Sequence, residues 1–421
     1  MAAPKLRFKE FSEDYNFSKF QEASIQIIDG DRGNNYPKSD DFYDNEYCLF
    51  LNAGNVTKSG FKFESTQFIN KEKDALLRKG KLQKNDLVIT TRGTVGNIAY
   101  FDESIPFENI RINSGMVIVR SEIDLEPIYL NQFLKSDLFE KWLEKNVFGS
   151  AQPQLTVKLL NSISISYPSK EEQTKIASFL SAVDEKISQL TQKHELLSQY
   201  KQGMMQKLFS QQIRFKADDG SEFGEWEELS LSKIFKLITD YVASGSFQSL
   251  RENVCPSDDG YAYYVRQVDL ANGFKNATKF VDKASYDFLS KSNLFVGDIL
   301  FTNIGASVGK VFILPELNKP ATVAPNLILL RVNDYNNNLF IYQFLNSEYA
   351  QNAIQKIVGG TGMPKISKTD LKSLSFSLPS LEEQTKIANF LSAIDQKIEV
   401  VAQQIEHAKQ WKKGLLQQMF V

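Results

Sequence analysis

The chain of 421 residues carries 49 Lys and Arg against 51 Asp and Glu, a formal net charge of −2. Hydrophobic residues at 42% and charged residues at 24% are typical of a globular protein, so neither a disordered chain nor a membrane protein is expected. The near-neutral charge weighs mildly against a nucleic-acid partner, because neutralised phosphates supply most non-specific affinity. A local basic face, or positive charge from partner subunits, would still be compatible with such a partner.

The N-terminal segment and the cysteines bear on the cellular location. The segment MAAPKLRFKEF lacks the apolar core of a signal peptide. Cys48 and Cys255 lie in different halves of the chain, so a disulfide framework is not expected. A reducing cytoplasm is the expected location.

Residues 1–167 are predicted to form a first module of mixed α+β structure. Runs of β-branched residues alternate with Gly-rich turns, as in the segments 86–96 and 114–120, and a helix is predicted near Tyr129–Lys145. The loop 149–156 then leads into a short helix and a final strand at residues 163–166.

Residues 168–212 are predicted to form a long helix. Its apolar residues recur at alternating steps of three and four, which is the 3.5-residue repeat of a coiled coil. Ser169 at the N-cap and Glu172 three residues later form a capping signal. About 40 residues at roughly 1.5 Å each give a helix about 60 Å long.

Residues 213–378 are predicted to form a second module, introduced by the turn-rich linker 218–221. The segment 298–309 parallels 86–96, a helix at Tyr342–Lys356 parallels Tyr129–Lys145, and the loop 360–367 parallels 149–156. Other segments of the two modules have little in common. A shared scaffold with divergent loops suggests one kind of recognition directed at two different targets.

Residues 379–421 are predicted to form a second long helix that repeats the first. Residues 171–187 and 382–398, which lie 211 positions apart, are identical at fourteen of seventeen positions. The chain is therefore one module written twice, and its ligand is expected to have two similar halves.

The two helices have matching apolar positions, so each is expected to pack against the other in an antiparallel coiled coil with a pseudo-two-fold axis. The alternative is that each packs on its own module as an ordinary amphipathic helix. The predicted seam consists of Ile176, Leu180, Val183, Ile187, Leu190, Leu197, Met204, Leu208, Ile387, Leu391, Ile394, Ile398, Val401, Ile405, Leu415 and Met419.

The sequence gives little support for catalysis. The segment 305–311 resembles a phosphate-binding loop, but it has three residues between its glycines where four are required, and Val311 follows the lysine. The two histidines, His194 and His407, both fall on the predicted long helices. The sequence therefore offers almost no histidines from which a metal site or a Ser–His relay could be built. We therefore expect a non-catalytic chain that binds no metal or cofactor of its own.

Side chains that hydrogen-bond to base edges are abundant in the matched loops. The aligned residues Asn52 and Arg266 differ as expected if one module reads adenine and the other guanine. For any single residue, an ordinary turn or capping role remains the alternative. The candidate DNA-binding residues are Arg32, Asn34, Asn52, Arg92, Thr94, Asn97, Ser150, Gln152, Gln154, Arg251, Arg266, Asn303, Ser307, Lys310, Thr361 and Lys365.

With both copies in view, the chain resembles the specificity subunit of a type I restriction–modification enzyme over essentially its whole length. The segments 168–187 and 379–398 resemble the central and distal conserved regions of that family, and the loop 149–155 adds support. The corresponding loop around Thr361 departs from the Gln-Pro form.

The resemblance implies two target-recognition domains held apart by an antiparallel helical pair, each reading half of a split, asymmetric DNA sequence. It also implies two modification subunits that methylate adenine with S-adenosylmethionine, and restriction subunits that require ATP and Mg²⁺. Two alternatives stay open: an orphan methylation system without restriction subunits, and a coiled-coil scaffold that binds proteins but not DNA.

Overall fold

The computed structural model describes residues 4–147, 153–275, 278–360 and 362–421. The chain divides into two compact units: unit 1 comprises residues 1–191 and 402–421, and unit 2 comprises residues 192–401. Each unit thus contains one of the predicted modules together with part of each long helix. The boundaries between the units, at residues 191/192 and 401/402, fall inside the two long helices.

In its described residues, 4–147 and 153–167, the first module combines short strands with four helices. Its strands are β1 (Asn16–Lys19), β2 (Ile25–Asp29), β3 (Cys48–Leu51), β4 (Val56–Thr57), β5 (Gly60–Phe61), β6 (Phe68–Ile69), β7 (Leu87–Thr90), β8 (Ile98–Tyr100), β9 (Ile110–Ile112), β10 (Met116–Ser121) and β11 (Ser164–Tyr167). Its helices are α1 (Lys71–Leu76), α2 (Pro127–Leu134), α3 (Asp137–Asn146) and α4 (Val157–Asn161). Short 3₁₀ turns cover Ser39–Asp41 and Ala53–Asn55. The first long helix follows as α5 (Lys170–Phe209).

The second module repeats this arrangement with different loops. Its strands are β12 (Glu227–Ser230), β13 (Phe235–Asp240), β14 (Ala262–Val265), β15 (Phe280–Val281), β16 (Asn293–Leu294), β17 (Ile299–Thr302), β18 (Val311–Ile313), β19 (Ala321–Val323), β20 (Leu327–Val332) and β21 (Ser375–Leu378). Its helices are α6 (Leu231–Ile234), α7 (Phe247–Asn253), α8 (Gln267–Ala271), α9 (Lys283–Phe288), α10 (Asn338–Leu345), α11 (Glu348–Lys356) and α12 (Lys368–Ser373). Further 3₁₀ turns cover Tyr241–Ser244 and Ser290–Ser292, and the second long helix is α13 (Leu381–Met419).

The sheets of the two modules have matching topology. An antiparallel sheet of order β2-β10-β7-β8 in the first module corresponds to β13-β20-β17-β18 in the second. A smaller sheet of order β6-β3-β9 corresponds to β15-β14-β19-β16, and in both a central strand pairs in parallel, β3 with β9 and β14 with β19. A two-stranded pair closes each module, β1 with β11 and β12 with β21.

The larger sheet forms where the sequence has its continuous apolar runs. Every residue of β7 and of β17 is buried, and full burial of each Leu, Val, Ile or Phe side chain among them stabilises the fold by roughly 1.5–3 kcal/mol. The polar residues next to these strands are paired. Arg120 makes two bonds of 2.7 Å to Asp86, and Arg331 makes bonds of 2.8 and 2.7 Å to Asp298. The aspartate and arginine of the repeated landmarks therefore form one ion pair in each module.

Each of the two predicted helices in the modules is a pair of helices. The segment around Tyr129–Lys145 divides into α2 and α3, and the segment around Tyr342–Lys356 divides into α10 and α11. The break falls at a serine in both cases, Ser136 and Ser347. Ser136 Oγ donates to the Phe133 carbonyl and Ser347 Oγ donates to the Phe344 carbonyl, each at 2.6 Å. The hydroxyl satisfies a carbonyl at the end of the first helix and so favours its termination.

The predicted seam residues are all buried or half-buried. In unit 1, Ile176, Leu180 and Val183 near the start of α5 share a core with Leu415 and Met419 near the end of α13. In unit 2, Leu208 near the end of α5 shares a core with Ile387, Leu391 and Ile394 near the start of α13. These contacts run in opposite chain directions, so the two helices are antiparallel. The same cores contain residues of the modules, such as Tyr129 and Phe340, so each helix also packs on its own module.

A Glu-Glu-Gln motif at residues 171–173, repeated at residues 382–384, attaches each long helix to its module. Ser169 and Ser380 accept from the backbone of Glu172 and Glu383 at 3.5 and 3.4 Å, as the capping signal predicts. The two glutamate side chains, 1% and 0% exposed, bind arginines distant in sequence. Arg7 makes two bonds of 2.8 Å to Glu172, and Arg214 makes bonds of 3.0 and 2.7 Å to Glu383.

A second polar contact fixes the register of the paired helices inside each unit. In unit 1, Asp184 accepts from Lys412 at 2.6 and 2.8 Å and from Gln132 at 2.9 Å. In unit 2, Asp395 accepts from Lys201 at 2.7 and 2.9 Å and from Gln343 at 2.7 Å. Polar groups in an otherwise apolar seam specify register. Within the described ranges, no helix is both long and apolar enough to span a bilayer.

Candidate DNA interface

The residues aligned as Asn52 and Arg266 occupy the same place in their modules. β3 ends at Leu51, and Asn52 then caps the 3₁₀ turn Ala53–Asn55. β14 ends at Val265, and Arg266 then precedes α8. In both modules the backbone N–H of this residue donates at 3.0 Å to the side chain three residues later, Asn55 or Asp269. We call this feature the strand-end corner.

The side chains at the two corners are held differently. Asn52 Oδ1 accepts from the backbone N–H of Gly54 at 2.8 Å, so the amide takes part in capping. Arg266 donates from Nε to Asp269 Oδ2 at 2.9 Å and from Nη2 to Oδ1 at 2.7 Å. These hydrogen bonds, which Asp269 accepts, raise the pKa of Arg266, which therefore stays charged. Asp269 is 2% exposed, whereas the side chain of Arg266 remains 31% exposed.

A cleft of about 490 Å³ joins the second corner to the β17–β18 turn. Its lining includes Arg266 and Ser307, both predicted as DNA-binding residues, and adds groups that the sequence reasoning did not single out. Among the described residues, the lining consists of Tyr264, Arg266, Gln267, Val268, Thr302, Ile304, Ala306, Ser307, Ala324, Pro325 and Asn326. Hydroxyl, amide and guanidinium groups therefore lie together with small apolar side chains, which is the chemistry needed to contact base edges and thymine methyl groups.

The turn after β7 or β17 is bonded to the loop that precedes α4 or α12. Leu155 N–H donates to the Thr91 carbonyl at 3.1 Å, and Ile366 N–H donates to the Asn303 carbonyl at 2.9 Å. In the first module this contact places Arg92 beside Gln154. With the Gln154 amide oriented so that its oxygen faces the guanidinium, the exposed Arg92 donates to that oxygen from Nε at 3.2 Å and from Nη2 at 3.0 Å.

Not all the candidates in these turns present their side chains outward. Asn97 Nδ2 donates to the Val56 carbonyl at 2.9 Å and so connects the turn to the first corner. Thr94 has an exposed side chain, and its carbonyl accepts from the Thr90 hydroxyl. Asn303 is half-buried and lines a smaller cavity of about 160 Å³ with Phe247. Lys310 and Lys365 are exposed.

The remaining candidates lie at other positions. Arg32 forms an ion pair with Asp29 at 3.1 Å and lies 3.4 Å from the Ser114 carbonyl. Asn34 is exposed, and Arg251 is exposed in the last turn of α7. Ser150, Gln152 and Thr361 lie outside the described residues. A direct role in DNA binding stays a prediction for each candidate.

Asp269 is the residue of this site that sequence reasoning missed. Its signal was present, because an acidic residue three positions after a helix N-cap matches the spacing of a capping box. Asn55 has the same spacing after Asn52. Among the described residues, no group of three or more His, Cys, Asp or Glu side chains is placed to hold a metal ion.

Comparison with known proteins defines the class of this duplicated, two-module chain. The model of the type I restriction modification DNA specificity domain matches residues 24–199 and again residues 224–410. The two matches cover most of the sequence, and the chain therefore belongs to this family of specificity subunits. The resemblance deduced from the repeated motifs is confirmed.

Individual relatives agree with this assignment. The chain is 28% identical over 305 residues to the type I restriction enzyme MjaVIII specificity subunit of Methanocaldococcus jannaschii, covering 69% of each protein. It is 23% identical over 394 residues to the EcoKI specificity subunit of Escherichia coli, covering 90% of this chain and 82% of the relative.

Solved structures support the predicted fold class. The crystal structure of the S subunit of a type I restriction–modification system from M. genitalium superimposes with a TM-score of 0.60 at 17% identity, covering 100% of this chain and 99% of the other. A structure described as the basis of complex assembly and conformational transition of the type I R-M system gives a TM-score of 0.55 at 16% identity, with 97% of both chains covered. The mixed α/β architecture with a duplicated domain and two long helices is confirmed.

Proposed function

We propose that this chain recognises a bipartite, asymmetric DNA sequence, with each module reading one half. The observation that carries the proposal is the strand-end corner. The same backbone hydrogen bond of 3.0 Å forms it in both modules, whereas the residue at that position is Asn52 in one and Arg266 in the other. Arginine pairs with guanine and asparagine with adenine through two hydrogen bonds each, so this substitution would change the base that is read.

The chain acts as the recognition component and leaves the chemistry to partners. Two modification subunits would methylate adenine with S-adenosylmethionine, and restriction subunits would use ATP and Mg²⁺. Relatives named as type I restriction enzyme specificity subunits support this division of labour. A partner would also supply phosphate contacts, which explains how a chain with a net charge of −2 takes part in DNA binding. We expect the assembly to work in the cytoplasm, where its DNA is.

Exchange of one module tests the proposal directly. Residues 213–378 are replaced by the second module of a relative, and methylated motifs are mapped by sequencing the DNA of cells that express either protein with the modification subunits. One half of the motif should change while the other half stays the same. Change in both halves, or in neither, would contradict separate reading.

Two controls separate the alternatives. Purification of the assembly from its native cells shows whether restriction subunits accompany the modification subunits, as a full restriction–modification enzyme requires. Binding of the chain with modification subunits to a duplex is measured at two salt concentrations. A protein scaffold would show no salt-dependent binding, whereas a DNA reader loses affinity as salt rises.

The long helices are proposed to set the length of the unread spacer. Removing one heptad from each, Leu190–Leu196 and Val401–His407, keeps the apolar repeat in phase and shortens each helix by about 10 Å. The methylated motif should keep both half-sequences and lose a few base pairs of spacer, at roughly 3.4 Å per base pair. A folded, active variant with the original spacer would argue against this role.

Arg266 is proposed as a base reader within the second half-site. Arg266→Ala should reduce discrimination at a single base pair by about 1–3 kcal/mol. A phosphate contact would instead weaken binding to all sequences about equally and lower the salt slope by roughly one. Binding to a panel of single-base variants at two salt concentrations distinguishes the two results.

A further inference from the structure

The guanidinium of Arg266 is clamped by a buried carboxylate at the edge of the cleft. Of its five N–H donors, one on Nε and one on Nη2 go to the two oxygens of Asp269, at 2.9 and 2.7 Å. Two parallel bonds fix the plane of the guanidinium, and a single bond would leave it able to rotate. The 2% exposure of Asp269 shows that the carboxylate faces the protein, while the arginine lies on the cleft wall.

The first module shows which part of this arrangement the fold requires. Asn55 is also 2% exposed, and its Oδ1 accepts from the backbone N–H of Asn52 at 3.0 Å, as Asp269 Oδ2 does from Arg266. The Nδ2 group of Asn55 donates to the carbonyls of Lys62 and Ser65 at 3.0 and 2.8 Å. An amide is therefore sufficient to stabilise the corner. The second carboxylate oxygen is needed only where the corner presents an arginine.

We propose that Asp269 is a positioning residue that orients Arg266 for guanine, and so narrows the sequence that the second module accepts. This inference rests on the proposed DNA-reading function and adds to it the residue that makes the reading selective. Recognition of guanine O6 and N7 requires two N–H donors of the same guanidinium, lying in one plane. Immobilising a long side chain before binding removes part of the entropy cost of association, so the clamped arginine meets the base already ordered.

The proposal predicts an effect that a purely structural residue would not have. Replacing Asp269 with asparagine removes a negative charge from the edge of the cleft, which favours DNA phosphates in general. It also removes one of the two oxygens that hold the guanidinium. Affinity for unrelated duplex should therefore stay constant or rise, while discrimination at the base pair read by Arg266 falls.

The test uses the full chain assembled with its modification subunits and the panel of single-base duplex variants. Asp269→Asn keeps an oxygen to accept from the Arg266 backbone, as Asn55 does in the first module. Its discrimination at one base pair should fall about tenfold, at the same position where Arg266→Ala acts. Arg266→Lys, which keeps the charge but lacks the planar fork, should lose discrimination there too without altering the corner.

Asp282→Asn serves as the matched control. Asp282 caps α9 in the same module by accepting from the Ser285 N–H at 2.8 Å, and it is exposed. The exchange removes the same charge from a helix cap that does not hold Arg266, and the panel should be unchanged. Thermal melting of each variant verifies that the module is folded.

The outcomes separate this inference from the function on which it rests. If Asp269→Asn and Arg266→Lys keep full discrimination while Arg266→Ala abolishes it, Asp269 is only a helix cap and the proposal is overturned. If Arg266→Ala affects every base equally, there is no base reading to position and the proposal again fails. The module exchange still decides independently whether the chain reads two half-sites.

Discussion

The first and second modules agree where they meet the long helices and differ where they carry the corner side chains. The Arg7–Glu172 pair of one module recurs as Arg214–Glu383 in the other, at almost the same distances. At the strand-end corner, the capping amide Asn52 stands opposite the clamped Arg266. The attachment to the long helix is thus the same in both copies, while the side chain at the corner differs.

Only some of the differences between the two modules identify residues that could read DNA. Divergent loops alone do not identify a reader, because Asn97 lies in such a loop and donates to the Val56 carbonyl inside its own module. A difference bears on recognition when the backbone hydrogen bond is the same and the side chain at that position is not. By that criterion the strand-end corner is the strongest candidate for a DNA-reading position.

The largest expected difference is in the reactivity of the two cysteines, Cys48 and Cys255, toward a thiol reagent. Burial and the nearby Asp74 raise the pKa of Cys48 to about 12, so at pH 8 only about one Cys48 in ten thousand is the reactive thiolate. Cys255 is exposed. A thiol reagent should therefore label the native protein once, at Cys255, and label Cys48 only after denaturation, as peptide mass analysis would show. Rapid labelling of native Cys48 would mean that the small sheet around β3 opens.

The arginine–glutamate ion pairs should contribute equally to the stability of the two modules. Glu172→Ala and Glu383→Ala each break a buried ion pair, and each should reduce the free energy of unfolding by about 3 kcal/mol. Glu171→Ala and Glu382→Ala are matched controls, since both residues are exposed on the same first turns. Denaturant unfolding measures all four. A loss in one module without the other would show that the copies are not equivalently attached.

Substitution of the turn glycine by alanine should destabilise the protein more in the first module than in the second. Gly96 and Gly309 have φ of +88° and +91°, which strains any other residue. An added Cβ at Gly96 would lie 2.6 Å from Leu143 Cδ1, whereas at Gly309 it would meet the flexible Gln355 amide at 3.0 Å. Gly96→Ala should cost about 2–3 kcal/mol and Gly309→Ala about 1 kcal/mol in stability.

A helical glycine provides the control for these substitutions. Gly203 lies within α5, and an added Cβ there would meet nothing within 4 Å. Gly203→Ala should stabilise the protein by up to about 1 kcal/mol because alanine has the higher helix propensity. Equal losses at Gly96 and Gly309 would show that backbone strain, and not the contact with Leu143, decides the cost.

The lysines in the seam should have the smallest effects. Lys412 and Lys201 are 13% and 19% exposed, while their partners Asp184 and Asp395 are each 41% exposed, so solvent screens both pairs. Double-mutant cycles with alanine at each pair should give coupling energies of about 0.5–1 kcal/mol that fall as salt rises. A clearly larger value in one unit would show that the two polar contacts are not equivalent.

The sequence was sufficient for the features that depend on short-range patterns. The 3.5-residue repeat predicted α5 and α13, and Ser169 and Ser380 cap them as expected. The break between α2 and α3 was missed, because the helical pattern continues through Ser136. The partner of Glu172 lies 165 positions away at Arg7, and no local pattern connects the two. The same holds for Gln132 and Asp184, which the fold brings together.

The candidate site was predicted in part for a related physical reason. Residue types suited to base edges were recognisable in the loops, but whether a polar side chain faces outward depends on its partners in the folded chain. Arg92 and Gln154 are both exposed, whereas Asn52 has its oxygen engaged in a cap. Asp269 escaped notice because its spacing indicates an ordinary helix cap, and its second oxygen has a role only beside Arg266.

The arginine that binds each Glu-Glu-Gln motif comes from the segment that enters the module, which restricts how recognition modules can be transplanted. Arg214 lies at the N-terminal edge of the second module, and Glu383 lies beyond its C-terminal edge. A graft of residues 213–378 therefore depends on the donor sequence to supply an arginine for the recipient glutamate. A donor segment that begins a few residues later, with no arginine before it, would leave Glu383 buried and unpaired. For chimeric specificity subunits, the choice of junction thus matters as much as the choice of module.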